Sequence, residues 1–230
     1  MRTPITYYGG KQKLSSVIIE MIPQHRIYVE PFFGGGAVFF AKPKSPMEVI
    51  NDTNDRLISF YLSSRDNFSG LKSLVDSTLH SERMHQYAKD IYNGRIEATD
   101  LEKAWAVWLI TNGSFGGSMH GGWKWCNGNS GGHSAVMVRN KRVEFTKSLQ
   151  IRLAEVQISC RDALRVIQDR DGADAFFYLD PPYPGSVQQH YSGYSMANFY
   201  TLLHRLQTIK GKFILSNFWS QTLKYFVVKN

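Results

Sequence analysis

The chain has 230 residues, 43% of them hydrophobic and 13% aromatic, which suits one globular domain or one domain carrying a large insertion. Its net charge of +8 makes association with a polyanion plausible, but the excess is spread along the chain with no run of five like charges, so any anion-binding surface must be assembled by folding. Two cysteines, Cys126 and Cys160, cannot build a disulfide framework, no long apolar span or signal-like N-terminus is present, and Cys126 with His120 and His133 matches no zinc spacing; a disulfide scaffold, a membrane span and a metal centre are thereby set aside, and a cytoplasmic location is the default.

Tyr7-Tyr8-Gly9-Gly10-Lys11 combines aromatic faces, a flexible turn and a cation within five residues; taken alone it reads as a surface turn before a helix. Residues 27–30 and 47–50 read as short buried strands, with a helix over 37–42 that Pro43 must end, which makes a βαβ opening. Between them, Pro31-Phe32-Phe33-Gly34-Gly35-Gly36 lets backbone N–H groups and a helix N-terminus face a ligand without side-chain obstruction. Three glycines permitting tight strand-to-helix packing is the alternative, and the G-x-G-x-x-G spacing is absent. Asn51-Asp52 closes the second strand, where nucleotide-binding α/β folds place an acidic acceptor for ribose hydroxyls. Asn51, Asp52 or Asn54 can equally cap a helix starting near Asp55, and both roles can hold at once.

Residues 57–149 differ in character, with a strong helical stretch over 101–110 and weaker ones before it. Residues 113–132 then hold 8 of the 19 glycines, interleaved with Phe115, Trp123, Lys124 and Trp125. A glycine-rich loop this long is uncommon inside a compact domain, and its aromatic and cationic content favours function over a bare linker. Strand patterns return at 156–159, 175–179 and 212–216, separated by helical segments at 162–168 and 196–209. The alternation calls for an α/β fold with a mostly parallel sheet: one discontinuous domain, 1–56 plus 150–230, interrupted by the insertion 57–149.

Asp180-Pro181-Pro182-Tyr183 follows the apolar run 175–179 directly. Neither proline can donate a ladder hydrogen bond, so pairing stops there and a carboxylate and an aromatic ring stand at a strand's carboxyl end, where open α/β sheets bind ligands.

Together these segments resemble the Dam-type family of DNA adenine methyltransferases, over most of the chain and in the family's order. Residues 4–11 resemble its N-terminal cofactor motif, 30–36 its methionine-side motif, 180–183 its catalytic motif and Leu215-Ser216-Asn217-Phe218 a late strand motif. The resemblance implies a Rossmann-like S-adenosylmethionine-dependent methyltransferase sheet with a mainly helical inserted DNA-recognition domain. It implies S-adenosylmethionine as cofactor, lined by Tyr7, Tyr8, Lys11, Phe32, Phe33, Gly34, Gly36, Asp52, Asp162 and Asp180. It also implies that the Asp180 carboxylate and Pro181 carbonyl accept the hydrogens of an adenine 6-amino group, in a motif completed by Pro182 and by Tyr183, which stacks on the extruded base.

Double-stranded DNA is the implied partner, met by the insertion at Asn112, Ser114 and Phe115, with Lys124, Arg139, Lys141 and Arg142 as phosphate contacts by charge. The setting implied is a prokaryotic or phage-infected cell, and a cognate restriction endonuclease in the same system is compatible with it. Methylation of an RNA adenine or a cytosine amino group, and a noncatalytic DNA- or cofactor-binding module, stand as alternatives. Relatives usually continue well past the segment matching 215–218, so the sheet edge near residues 213–230 is expected to be less covered.

Overall fold

The structure is a computed structural model and describes residues 1–127, 133–183 and 194–229. In chain order it runs α1 (Ser15–Glu20), β1 (Ile27–Glu30), α2 (Ala37–Ala41), β2 (Met47–Asn51), α3 (Asp55–Asp66), α4 (Phe68–Asp76), α5 (Glu82–Tyr92), α6 (Asp100–Gly113), α7 (Ser134–Glu144), α8 (Ser148–Leu153), β3 (Gln157–Ser159), α9 (Ala163–Arg170), β4 (Ala175–Leu179), α10 (Met196–Leu206), β5 (Lys212–Leu215) and α11 (Gln221–Lys229). The strands form one sheet in the order β3-β2-β1-β4-β5, and every pairing is parallel. This is the Rossmann-like α/β architecture expected from the alternation of strands and helices.

Parallel sheets need cover on both faces, and the strands alternate accordingly. Tyr28, Ile50, Phe176 and Tyr178 point to one side and join the cluster of α2 to α8, while Val29, Val49, Ala175, Phe177 and Leu179 point to the other and meet α9, α10 and α11. All five residues of β4 are buried. Residues 57–149 supply most of the helical side of the first cluster, so one apolar core runs from the sheet into the insertion through Phe33, Phe60, Trp108 and Phe145.

Several ends follow local chemistry. α2 stops at Ala41, one residue short of the expected end, since Lys42 is already extended ahead of Pro43. α6 begins at a capping box made by Thr99 and Glu102 and runs to Gly113, beyond the expected 101–110, because Ala104–Gly113 is buried throughout and tertiary packing extends it. Asp162 lies outside α9 as its N-cap, accepting from the Leu164 and Arg165 amides. α10 ends at Leu206 rather than 209, and β5 at Leu215. β5 is an edge strand whose apolar residues are half-buried, followed by α11, which buries Leu223 in the second cluster. Among the described residues no helix is long and apolar enough to cross a membrane.

Candidate active site

β1 is central in the sheet, with β2 on one side and β4 on the other, so the crossovers diverge beyond its carboxyl end. Such a switch point opens a crevice, and a cavity of about 670 Å³ lies there. Glu30 at the end of β1 and Pro31 to Ala37 after it, Asp52 and Thr53 after β2, Asp180 to Tyr183 after β4 and Ser216 to Phe218 after β5 line it, and Tyr7 to Lys11 of the N-terminal segment close one side. Thus Asp180, Pro181, Pro182, Tyr183, Tyr7, Tyr8, Lys11, Phe32, Phe33, Gly34, Gly36 and Asp52, spread over most of the chain, meet in one cavity.

At one end both Asp180 oxygens accept from Lys11 Nζ, at 2.8 and 2.7 Å. Tyr183 Oη donates to Asp180 Oδ1 at 3.2 Å, and the Tyr183 ring packs edge-on against Phe218 with centroids 4.8 Å apart. Burial lifts Asp180 above the ordinary carboxylate range, and Lys11, Tyr183 and Ser216 pull it back. Burial also works against the Lys11 ammonium, but the Asp180 carboxylate outweighs it and leaves the lysine raised. The result is a half-buried carboxyl group bridged through both oxygens by one cation, with acceptor capacity left over, since a carboxylate offers about four lone-pair sites.

At the other end Gly34 and Gly36 have φ of 49° and 64°, a conformation in which a side chain is strained. The Gly34 amide donates to Asp52 Oδ2 at 2.9 Å and Tyr61 Oη to the Gly34 carbonyl at 2.8 Å, which fixes the turn. Asp52 also accepts from the Asn54 amide, and Asn54 in turn caps α3, so the capping role weighed for this stretch falls on Asn54 while Asp52 lines the cavity. Burial raises Asp52, opposed by the amides it accepts from. The glycines also permit close packing: a Cβ on Gly34 would lie 2.9 Å from the Tyr7 ring, and one on Gly35 would lie 2.7 Å from Tyr7 Cβ. Close packing against Tyr7 thus demands small residues in a turn that also faces the cavity.

Glu30, on the cavity floor, accepts from Tyr28 Oη at 2.9 Å and is pushed up to about 8, chiefly by burial and in part by Asp180. An acid raised on folding binds its proton more tightly in the folded chain, so its favourable contribution is full below the unfolded value of 4.5 and is lost as pH climbs to about 8. Across that window Glu30 lowers stability by up to about 1.4 kcal/mol per pH unit. Denaturant melts of Glu30→Gln against the parent are expected to show a shallower fall between pH 5 and 8; parallel curves would contradict a protonated Glu30.

The remaining expected site residues lie elsewhere. Asp162 is engaged in capping α9 and does not line the cavity. Asn112 and Ser114 are buried: Asn112 bonds to Thr6, Pro4 and Trp108, and Ser114 Oγ pairs with His85 Nε2 at 2.7 Å. Lys141 donates to the Thr3 carbonyl, Arg142 to the carbonyls of Asp76 and Thr78, and Lys124 Nζ contacts Met137 Sδ. Phe115 is 50% exposed and Arg139 is exposed. The glycine-rich stretch turns back on itself through a bridge between Ser114 and Trp123, and its residues 128–132 lie outside the described residues. Glu30, Thr53, Ser216, Asn217 and Phe218 line the cavity without having been singled out as site residues. The strand-end rule that marks Asp180 applies equally to Ser216-Asn217-Phe218 after β5 and could have found them.

Residues 7–226 match the model of the D12 class N6 adenine-specific DNA methyltransferase family. The chain is 28% identical over 200 residues to the type II methyltransferase M1.LlaDCHI of Lactococcus lactis subsp. cremoris, covering 83% of this chain and 69% of the relative. It is 25% identical over 231 residues to the type II methyltransferase M.MjaIII of Methanocaldococcus jannaschii, covering 85% and 74%.

Proposed function

Since this chain belongs to the D12 class N6 adenine-specific DNA methyltransferase family, we propose that Asp180 and Tyr183 receive an adenine flipped out of double-stranded DNA and that the turn at Gly34 holds S-adenosylmethionine. The activity is methylation of DNA adenine, and the observation that carries the residue assignment is the single cavity joining the Asp180 end to the Gly34–Asp52 end. The residues suit that cofactor. A positively charged ligand with vicinal hydroxyls finds Asp52 and Asp180 around a turn stripped of side chains. Bound there, S-adenosylmethionine supplies an electrophilic methyl group on sulfonium.

The chain's own part is to make a poor nucleophile competent. An adenine 6-amino group has its lone pair delocalised into the ring, and two acceptors, the Asp180 carboxylate and the Pro181 carbonyl, draw its hydrogens aside and aim the lone pair. Lys11, bonded to both Asp180 oxygens, favours the ionised carboxylate that this task needs. Tyr183 and Phe218 offer ring faces to the extruded base, and stacking of about 1–3 kcal/mol per base offsets an unstacking cost of a few kcal/mol. Neither cysteine lines the cavity, and direct transfer needs no covalent intermediate.

The insertion is the proposed DNA-facing part, with exposed Phe115 and Arg139 available and Asn112 and Ser114 withdrawn into the interior. A cytoplasmic restriction-modification setting, with a cognate endonuclease as partner, rests on the type II relatives. Incubating the purified chain with methyl-labelled S-adenosylmethionine and unmethylated duplex, then resolving the nucleosides by mass spectrometry, tests the reading. Label is expected in N6-methyl-2′-deoxyadenosine from duplex DNA; label in N4-methyl-2′-deoxycytidine, or only with an RNA substrate, would overturn it.

A further inference from the structure

Asn112 sits at the end of α6, where the insertion's glycine-rich stretch begins, yet its side chain faces the N-terminal segment. Its Oδ1 accepts from the Thr6 amide at 3.0 Å and from Thr6 Oγ1 at 3.1 Å, while its Nδ2 donates to the carbonyls of Trp108 and Pro4. From the same side Gly117, with φ of 68°, approaches so closely that a Cβ there would lie 2.7 Å from the Thr6 oxygen. Tyr7 packs from the other side on Gly34 and Gly35. Residues 3–7 are therefore a strap clamped between the insertion and the cofactor turn. Five residues after Thr6, past a turn at Gly9 with φ of 74°, the same strap delivers Lys11 to Asp180.

We infer that Asn112 is a positioning residue for the methyl transfer: by holding Thr6 it sets the strap, and through the strap it sets the ion pair between Lys11 and Asp180. This rests on the reading of Asp180 as the amino-group acceptor. The strap's anchor lies in the insertion and its working end in the catalytic cavity, so a shift in one is felt at the other. Asp180 is faced by Lys11 from the strap, Tyr183 from its own loop, Ser216 after β5, Glu30 from β1 and Tyr178 from β4. Among these groups Lys11 is the cation, so withdrawing it moves Asp180 in one direction, toward the protonated form.

The experiment follows the Asp180 carboxylate by NMR titration of chain labelled at aspartate Cγ, its signal identified by its loss in Asp180→Asn, alongside the acid limb of kcat/KM. Asn112→Ala is expected to raise the Asp180 titration, and the acid limb with it, by about one pH unit. Thr6→Val, which removes one of the two bonds and empties no core, is expected to move both in the same direction by less. Thr6→Ser is expected to behave as the parent, and Lys11→Met to give the largest shift. An Asp180 titration that stays at the parent value in Asn112→Ala, whatever happens to the rate or the melting temperature, would overturn the inference. Should Asn112→Ala not fold, an unmoved titration in Thr6→Val does the same. Because the titration is read without turnover, a chain whose Asp180 responds but which methylates no adenine would overturn the functional reading and leave the strap standing.

Discussion

Asp180→Ala is expected to lower methyl transfer to adenine by at least about 10²–10³-fold, the typical cost of deleting one preorganised polar group from a catalytic site. The loss follows from chemistry rather than from folding. Asp180 lies beyond the last ladder residue of β4, and the strand is held on both sides by β1 and β5 whatever side chain stands at 180. Without the carboxylate the 6-amino group has only the Pro181 carbonyl as acceptor, and the lone pair stays in the ring. Cofactor binding is expected to change by no more than about tenfold, or 1.4 kcal/mol, because the Gly34–Asp52 end of the cavity is built without Asp180. The residual change comes from Lys11, a cation left without its partner beside a positively charged cofactor. Single-turnover methylation with saturating cofactor, paired with equilibrium dialysis of labelled S-adenosylmethionine, separates the two. A rate within a few fold of the parent would remove Asp180 from the mechanism.

The second large effect lies away from the cavity. Glu48 on β2 is 2% exposed and accepts from Lys42 at 2.6 Å and from Arg152 of α8 at 2.9 Å, with a further contact from Arg152 to its other oxygen. Lys42 also donates to Ser45 and lies 4.1 Å from the Tyr28 ring centroid, while Arg152 lies 3.6 Å from that of Phe39. The two cations depend on one buried carboxylate, and that carboxylate joins the helix after β1, the start of β2 and the helix before β3. Glu48→Gln keeps the volume and removes the charge. It is expected to cost about 3–5 kcal/mol, as breaking a buried pair does when the partner charges stay behind, and to lower Tm by about 10 °C for a chain of this size. Burial opposes the charged form of Glu48, but its two cations hold it below the ordinary carboxylate value. Its contribution is therefore present above the unfolded value and lost as pH falls through the folded one, so parent and variant converge in acid. A variant melting within 2–3 °C of the parent near neutral pH, roughly 1 kcal/mol, would show the cluster to be replaceable.

How far these features were legible differs from residue to residue. The Asp180 motif was readable because its cause is covalent: two residues without N–H groups end a strand wherever they stand. The turn at Gly34 was readable as a ligand turn or as a packing turn; the packing is seen directly, since Tyr7 fills the space its missing side chains leave, and the turn also lines the cavity. The family resemblance implied Asn112 as a DNA contact, and its side chain is instead bonded to the N-terminal strap 106 residues away. Lys141 and Arg142 carry the charge that suggested phosphate contacts, and backbone carbonyls take them up. Phe218 was quoted as part of a strand motif, and only the neighbouring end of β4 brings it against Tyr183.

The sequence by itself determined the order of strands and helices, the points where each strand must stop, and the residue types waiting at those stops. These depend on backbone donors, side-chain volume and apolar periodicity within a few residues, all carried locally by the chain. The tertiary structure alone decided the pairing of Lys11 with Asp180 across 169 positions, the burial that pushes Glu30 up to about 8, and the clamp of Asn112 on Thr6. Electrostatics and hydrogen bonding act through space, and which charges become neighbours is set only when the parallel sheet brings the ends of β1, β4 and β5 to one crevice.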